Sequence, residues 1–142
     1  MKKYNVGYTT GVFDLFHIGH LNLLRNAKEY CKYLVVGVST DELVREYKNK
    51  DTIIPFHERK TIVEAVRYVD RAVAQESMVK MKAWDNIRFD AIFVGDDWKG
   101  HKNWIKFEQQ FKEVGVDIVY LPYTKQTSST VLRELITKSL VG

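Results

Sequence analysis

Short apolar runs rich in β-branched residues alternate along this chain with segments whose apolar positions recur at helical spacing. The predicted strands cover residues 5–9, 33–39, 72–74, 91–94 and 117–121. Helical patterns fill most of the intervals, and one more follows the fifth strand. This alternation predicts an α/β fold in a single domain, residues 1–142: a Rossmann-like, doubly wound, parallel five-stranded sheet with helices on both faces.

The helices are predicted from apolar residues spaced three or four positions apart. The first places Leu21, Leu24 and Ala27 on one face, and a second begins at Pro55. Two further helices are expected over residues 104–114 and 129–140.

Residues suited to ligand chemistry follow the predicted strands and do not precede them. His17 and His20 follow the first strand, residues 39–41 the second, residues 95–98 the fourth and residues 123–130 the fifth. In a doubly wound sheet, ligands bind beyond the carboxyl ends of the strands. Four loops are therefore expected to converge on one site.

The most informative loop is GVFDLFHIGH, residues 11–20. Its two histidines flank Gly19 at a helix start, where imidazole donors and backbone N–H groups can face one anion. The alternative is a histidine that only caps the helix. Two histidines around a glycine, with Asp14 three residues earlier, favour a polyphosphate site.

Composition narrows the class of protein. The formal charge of +4, from 22 basic and 18 acidic residues, suits an anionic ligand but is too small to indicate nucleic acid. No apolar run approaches the roughly 20 residues of a membrane span, and the N-terminus lacks the apolar stretch of a signal peptide. We therefore expect a cytoplasmic protein without membrane insertion. The single cysteine, Cys31, is interpreted as a buried hydrophobic residue.

Residues 11–20 resemble the G-T-F-D-x-x-H-x-G-H signature of the cytidylyltransferases of the nucleotidyltransferase superfamily, with Val12 in place of threonine. Residues 39–42, 58–60, 67–70 and 95–100 fall in the order and spacing of that family. The glycerol-3-phosphate branch is the nearest in pattern, because Trp98 follows the acidic pair where other branches carry isoleucine. The resemblance covers nearly the whole chain.

The resemblance implies transfer of CMP from CTP to an alcohol phosphate, with glycerol 3-phosphate as the leading acceptor, giving CDP-glycerol and pyrophosphate. It also implies Mg²⁺ carried mainly on the CTP triphosphate, no metal site of the protein's own, and a homodimer. Two other functions stay open: an ATP-dependent adenylyltransferase of the same fold, and a non-catalytic nucleotide-binding module.

The family's residues map onto three groups of this chain. His17 and His20 are expected to be catalytic together with Lys48, for which Lys50 is a rival because both lie on a predicted mobile loop, residues 45–51. The expected nucleotide-binding residues are Thr10, Gly11, Phe13, Gly19, Arg67, Asp96, Thr124, Ser128, Ser129 and Thr130. Further substrate or phosphate candidates are Asp14, Arg59, Trp98 and Lys125.

Two further assignments carry alternatives. Arg59 is also interpretable as a surface residue in an ion pair with Glu58 or Glu64. Asp96 and its neighbour Asp97 are a possible metal pair from their type alone, whereas the resemblance implies a role for Asp96 near the base and ribose.

The last loop departs from the family, which commonly reads R-T-E-G-I-S-T-T. This chain has Tyr123 in place of the arginine and Gln126 in place of the glycine. Lys125 is a candidate for the missing positive charge. Alternatively, Tyr123 marks a changed acceptor pocket.

Overall fold

The computed structural model describes residues 2–122 and 129–141. Its five strands are all parallel, in the order β3-β2-β1-β4-β5. They are β1 (Tyr4–Gly11), β2 (Cys31–Ser39), β3 (Arg71–Gln75), β4 (Ala91–Gly95) and β5 (Asp117–Leu121). The described helices are α1 (Ile18–Tyr30), α2 (Asp41–Lys48), α3 (Phe56–Ala65), α4 (Lys80–Ile87), α5 (Lys102–Glu113) and α6 (Ser129–Val141). The predicted fold class is confirmed.

The sheet is covered on both faces because alternate strand residues point to opposite sides. On β2, Leu34 and Val36 pack into a core with Leu24 of α1. Val35 points the other way, into a second core with Phe111 of α5. The central strand β1 is paired on both sides, so its carboxyl end lies at the middle of one sheet edge.

Two helices between strands were not predicted. Residues 45–51 were expected to form a mobile loop, but Lys48 is the last residue of α2 and Asn49 ends the helix with a left-handed φ of 54°. The Thr40 hydroxyl caps this helix by accepting from Leu43 N at 3.2 Å. The pattern was hidden because six of its eight residues are polar or aromatic and exposed or half-buried. The other unpredicted helix is α4.

Two smaller expectations have clear outcomes. Cys31 is fully buried at the start of β2, which confirms its interpretation as a core residue. No helix within residues 2–122 or 129–141 has both the length and the apolar character that a membrane span requires.

Candidate active site

The two histidines are held by the start of α1. His17 is the N-cap residue, and its Nδ1 accepts from Gly19 N at 3.0 Å. In return, Nδ1 of His20 accepts from His17 N at 3.2 Å. This is a capping box in which both partners are histidines. The ring centroids lie 3.9 Å apart.

The capping box fixes the chemistry of both rings. Because each Nδ1 accepts a backbone N–H, each neutral imidazole carries its proton on Nε2. Burial, together with the neighbouring His17 and against an opposing effect of Asp14, lowers the pKa of His20 to about 3. Burial also lowers the pKa of His17. The pair therefore offers two neutral N–H donors. The N–H of Gly19, expected to face the ligand, instead bonds to His17.

The turn before the histidines has a constrained backbone. Phe13 and Leu15 both adopt left-handed φ, 56° and 51°, although neither is glycine. The ring of Phe13 is buried, comes within 5.3 Å of His20 between centroids, and would lie 2.9 Å from a Cβ added to Gly11. Gly11 thus leaves room for the Phe13 ring, and that ring packs against His20.

Asp14, which lies between Phe13 and Leu15, connects three parts of the chain. Its buried carboxylate accepts from Ile53 N at 2.8 Å and from Ile54 N at 2.9 Å. It also pairs with Arg133 of α6. Asp14 was predicted to be a substrate residue. Its described contacts link the turn after β1 to the segment before α3 and to α6, and a substrate role stays a prediction.

A cavity of about 250 Å³ opens beside His20, and we call it the histidine cavity. Its lining comes from the β1 turn, from α1 and α2, from the segment after α2, and from α6. The lining residues are Thr10, Gly11, Val12, Phe13, Asp14, His20, Leu23, Val44, Lys48, Lys50, Thr130 and Arg133. The structure thus brings together much of the predicted site, including both candidate lysines.

Positive charge is concentrated in this cavity. Burial lowers the pKa of Lys48, and the nearby cations Lys50 and Arg133 lower it further, while Asp14 raises it. Among the described residues that line the cavity, three cations face one carboxylate, which leaves an excess of positive charge. Such an arrangement is suited to a polyphosphate.

A second, larger cavity of about 550 Å³ lies between α4 and β3 with the segment that follows β3. Lys80 lines it and is only 4% exposed. Its ammonium group donates to the Thr10 hydroxyl at 2.8 Å, and Thr10 in turn lines the histidine cavity. Burial lowers the pKa of Lys80 to about 8. We call this larger space the Lys80 cavity.

The interpretation of Arg59 as a surface residue in an ion pair is wrong. Its side chain is 1% exposed and binds neither Glu58 nor Glu64 in the described contacts. Instead it donates to three backbone carbonyls and pairs with Asp41 at 2.6 Å. The acceptors are Ile54 O at 2.8 Å, Val12 O at 2.7 Å and Ser39 O at 2.8 Å. Arg59 therefore holds the loops around the site and does not face the cavity.

Asp41 is the acidic partner in this network. Burial tends to raise the pKa of Asp41, but hydrogen bonds from Phe56 N and from Arg59 and Thr52 hold it below its usual range. The carboxylate and the guanidinium thus fix the end of β2 against the start of α3.

We expect Arg59→Lys to destabilise the fold by about 2 kcal/mol, because lysine keeps the charge near Asp41 but leaves buried carbonyls unpaired. Urea unfolding followed by circular dichroism measures the change. Lys60→Arg, at an adjacent site where Lys60 pairs with Glu64 at the surface, is the matched control and should change stability by less than about 0.5 kcal/mol. An equal, small effect for both variants would contradict the structural role of Arg59.

Several predicted residues do not join the cavity within this chain. Arg67 lies in the turn between α3 and β3, at the amino end of the sheet, and stacks over Tyr68 at 5.9 Å. Asp96 and Trp98 follow β4 at the correct edge, in a short 3₁₀ turn, but neither lines the histidine cavity. Trp98 is 42% exposed, so it does not close the core. The base-binding roles of Arg67 and Asp96 stay predictions.

The predicted residues of the last loop lie mostly outside the described residues. These are Tyr123, Thr124, Lys125, Gln126 and Ser128. Ser129 begins α6, and Thr130 lines the histidine cavity. Whether Lys125 replaces the family's arginine therefore stays a prediction.

Sequence reasoning missed Lys80 and Arg133. No local motif marks either residue, because their contacts reach Thr10 and Asp14 from 70 and 119 positions away. One signal was present for Arg133: it follows Thr130 by three positions on a predicted helix, so the two share a face. For Lys80 the sequence holds no comparable signal.

Comparison with known proteins shows which proteins this chain resembles. The model of the Cytidylyltransferase-like family matches residues 8–135. Glycerol-3-phosphate cytidylyltransferase from Bacillus subtilis (strain 168) is 38% identical over 128 residues, covering 89% of this chain and 92% of that protein. The protein of the same name from Staphylococcus aureus (strain NCTC 8325 / PS 47) is 34% identical and covers 89% of this chain and 90% of its own length.

Some of the similar proteins carry the name of a different activity. FAD synthase from Thermococcus kodakarensis (strain ATCC BAA-918 / JCM 12380 / KOD1) is 33% identical over 114 residues, 80% of this chain and 76% of that protein. Among solved structures, the lipopolysaccharide core biosynthesis protein from Thermoplasma volcanium GSS1 matches with a TM-score of 0.72 and 24% identity. That match covers 87% of this chain and 99% of the other, and it shows the fold alone.

Proposed function

We propose, because this chain belongs to the cytidylyltransferase-like family, that it is an enzyme which transfers CMP from CTP to an alcohol phosphate. Glycerol 3-phosphate is the proposed acceptor, and CDP-glycerol and pyrophosphate are the products. The observation that carries the proposal is the histidine capping box beside a cavity lined by three cations. The names of the relatives supply the nucleotide and the acceptor.

The proposed reaction mainly requires stabilisation of negative charge in the transition state. A phosphate oxygen of the acceptor attacks the α-phosphorus of CTP in line, the bond to the β-phosphate oxygen breaks, and pyrophosphate leaves with the bonding electrons. Negative charge grows on the α-phosphate oxygens and on the leaving group. The Nε2–H groups of His17 and His20 would stabilise this charge as neutral donors held in place before the reaction. No covalent intermediate with the enzyme is required.

The acceptor phosphate is proposed to bind at Lys80. A buried ammonium group whose described hydrogen bond goes to a neutral hydroxyl is well suited to bind an anion. Lys80 borders the larger cavity, and its partner Thr10 borders the smaller one. An acceptor in the Lys80 cavity would therefore approach a nucleotide in the histidine cavity at the carboxyl end of β1.

Magnesium is proposed to enter with the substrate. No group of three or more histidine, cysteine, aspartate or glutamate side chains suited to a metal is found in residues 2–122 and 129–141. Asp14, the acidic residue of the histidine cavity, already accepts N–H groups from Ile53, Ile54 and Arg133. A carboxylate that is already hydrogen-bonded in this way has little capacity left for a metal ion, so the site fits a Mg²⁺ ion that is bound mainly by the CTP triphosphate. The expected homodimer and the cytoplasmic location are likewise proposals, and sedimentation tests the former.

A pyrophosphate-release assay tests the proposed function directly. CTP and ATP are each paired with glycerol 3-phosphate, choline phosphate, ethanolamine phosphate and flavin mononucleotide. We expect kcat/KM with CTP and glycerol 3-phosphate to exceed that of every ATP pair by more than about tenfold, since a wrong base leaves polar groups of the site unpaired. Wild-type protein without acceptor controls for CTP hydrolysis.

The FAD synthase relatives favour one alternative, ATP-dependent transfer of AMP to flavin mononucleotide. Turnover confined to ATP with that acceptor would replace the proposed function by this one. Nucleotide binding without pyrophosphate release under any pairing would support the non-catalytic module.

A further inference from the structure

Gln75 is a buried polar residue of the Lys80 cavity to which the proposed reaction assigns no role. It is the last residue of β3 and is only 6% exposed. Two contacts hold it against the end of β2. Its Oε1 accepts from the Ser39 hydroxyl at 2.9 Å, and its backbone carbonyl accepts from Thr40 N at 3.1 Å. Because Gln75 also lines the Lys80 cavity, its side chain is fixed at the wall of the proposed acceptor site.

The part of the Gln75 amide that remains available is its donor group. A glutamine amide offers one oxygen acceptor and two N–H donors. The Ser39 hydroxyl bonds to the oxygen, whereas no residue within 2–122 or 129–141 accepts a hydrogen bond from the amide nitrogen. Every buried side-chain nitrogen or oxygen in that part of the chain has a partner, so this nitrogen is accessible from the cavity. Gln75 therefore presents N–H groups to a ligand.

The charges of the cavity favour an acceptor without an ammonium group. Its described lining residues include three cations, Arg71, Lys80 and Lys82, and one acidic residue, Glu76. Tyr8, the one aromatic residue among them, is 1% exposed, so these residues offer no open aromatic face to a cationic head group. A hydroxyl oxygen, by contrast, accepts the N–H groups of an amide. The cavity is thus suited to an uncharged alcohol that carries hydroxyl groups.

We propose that Gln75 determines the choice of acceptor by donating a hydrogen bond to a hydroxyl group of its alcohol part, and that Ser39 is the positioning residue which orients the amide. This inference rests on the proposed CMP transfer and on the binding of the acceptor phosphate by Lys80. It names the acceptor class as phosphate monoesters of alcohols with further hydroxyl groups, and not of alcohols that carry an ammonium group. Discrimination arises because the wrong acceptor leaves the amide donor unpaired.

The Gln75→Met variant tests the assignment, because methionine keeps the length of the side chain and removes both N–H donors. kcat/KM is measured with CTP and either glycerol 3-phosphate or propyl phosphate, which has the same carbon chain without the hydroxyls. We expect the wild-type preference for glycerol 3-phosphate to exceed about tenfold and to fall at least about fivefold in Gln75→Met, while propyl phosphate itself changes less than about twofold. Gln109→Met, at an exposed position of α5, is the matched control.

The Ser39→Ala variant tests the positioning role. We expect it to lower the preference for glycerol 3-phosphate about two- to fivefold, less than Gln75→Met does, because the amide keeps its donors but is no longer held by its oxygen. The Kd for CTP, measured by calorimetry, should stay within about twofold of wild type in both variants, since neither residue lines the histidine cavity. If a single variant fails to fold by circular dichroism, the double variant Ser39→Ala/Gln75→Met removes both partners together and decides the same question.

The outcomes separate substrate selection from a structural role. An unchanged preference in Gln75→Met would overturn the inference, and so would an equal loss of activity with both acceptors, which indicates that Gln75 only connects β2 and β3. Equal use of choline phosphate and glycerol 3-phosphate by the wild-type enzyme would also overturn it. If the wild-type protein transfers nothing from CTP, the proposed function fails, and calorimetry with glycerol 3-phosphate and propyl phosphate still tests Gln75 through the ratio of their Kd values.

Discussion

Replacing His20 by alanine is expected to lower kcat at least about a hundredfold, because it removes a donor to the charge that develops on the transferred phosphate. His17→Ala should have an effect of similar size on the reaction. Each histidine also has a structural role in the capping box, with Nδ1 accepting a backbone N–H. Alanine therefore changes both the chemistry and the helix start.

Two conservative variants separate these roles. Asparagine is a good N-cap residue, so His17→Asn keeps an acceptor for Gly19 N. Glutamine is favoured at the third helical position of a capping box, so His20→Gln keeps an acceptor for His17 N. We expect the free energy of unfolding of both variants to lie within about 0.5 kcal/mol of the wild-type value, because an N-cap contributes about 1 kcal/mol that these variants retain. Most of the activity should nevertheless be lost.

Turnover and urea unfolding are measured on the same preparations. If His17→Asn or His20→Gln retains near-normal turnover, the histidines only cap the start of α1 and the proposed mechanism is wrong. A loss of turnover with unchanged stability supports donation by the imidazole groups.

The parts of the structure that depend on local patterns were predictable. The alternation of apolar runs gave all five strands, and β5 has the predicted bounds, Asp117–Leu121. The position of the loop at residues 11–20 was also predictable, because ligands bind at the carboxyl ends of the strands in this fold. The helix α2 was missed because only Leu43 and Val44 are buried in it, which is too few apolar positions to show a helical period.

The parts that depend on long-range contacts were not predictable. Arg59 has ordinary helical neighbours in the sequence, yet it is buried because the ends of β1 and β2 bring Val12 O and Ser39 O to its guanidinium. Lys80 looks like a surface lysine until the structure places it beside Thr10. Burial of a charged residue is decided by the partners that the fold supplies, and a sequence pattern does not show them.

Lys80 gives the second large prediction. Lys80→Met keeps the length of the side chain and removes the charge proposed to bind the acceptor phosphate. We expect kcat/KM for the acceptor to fall about a hundredfold, since a charged hydrogen bond in a buried site contributes about 1.5–3 kcal/mol. The Kd for CTP should change little. Lys106→Met, an exposed lysine of α5, is the matched control.

The pH dependence of the wild-type enzyme tests the same assignment without a substitution. Burial lowers the pKa of Lys80 to about 8, so its charged form is present below that pH and is lost above it. A phosphate monoester becomes a dianion above about pH 6. Because kcat/KM for the acceptor reports groups of the free enzyme and free acceptor, it should be highest between these values and fall as the pH rises through about 8. In Lys80→Met the alkaline fall should disappear. An alkaline fall that persists in Lys80→Met with the same midpoint would assign it to another group and remove Lys80 from the acceptor site.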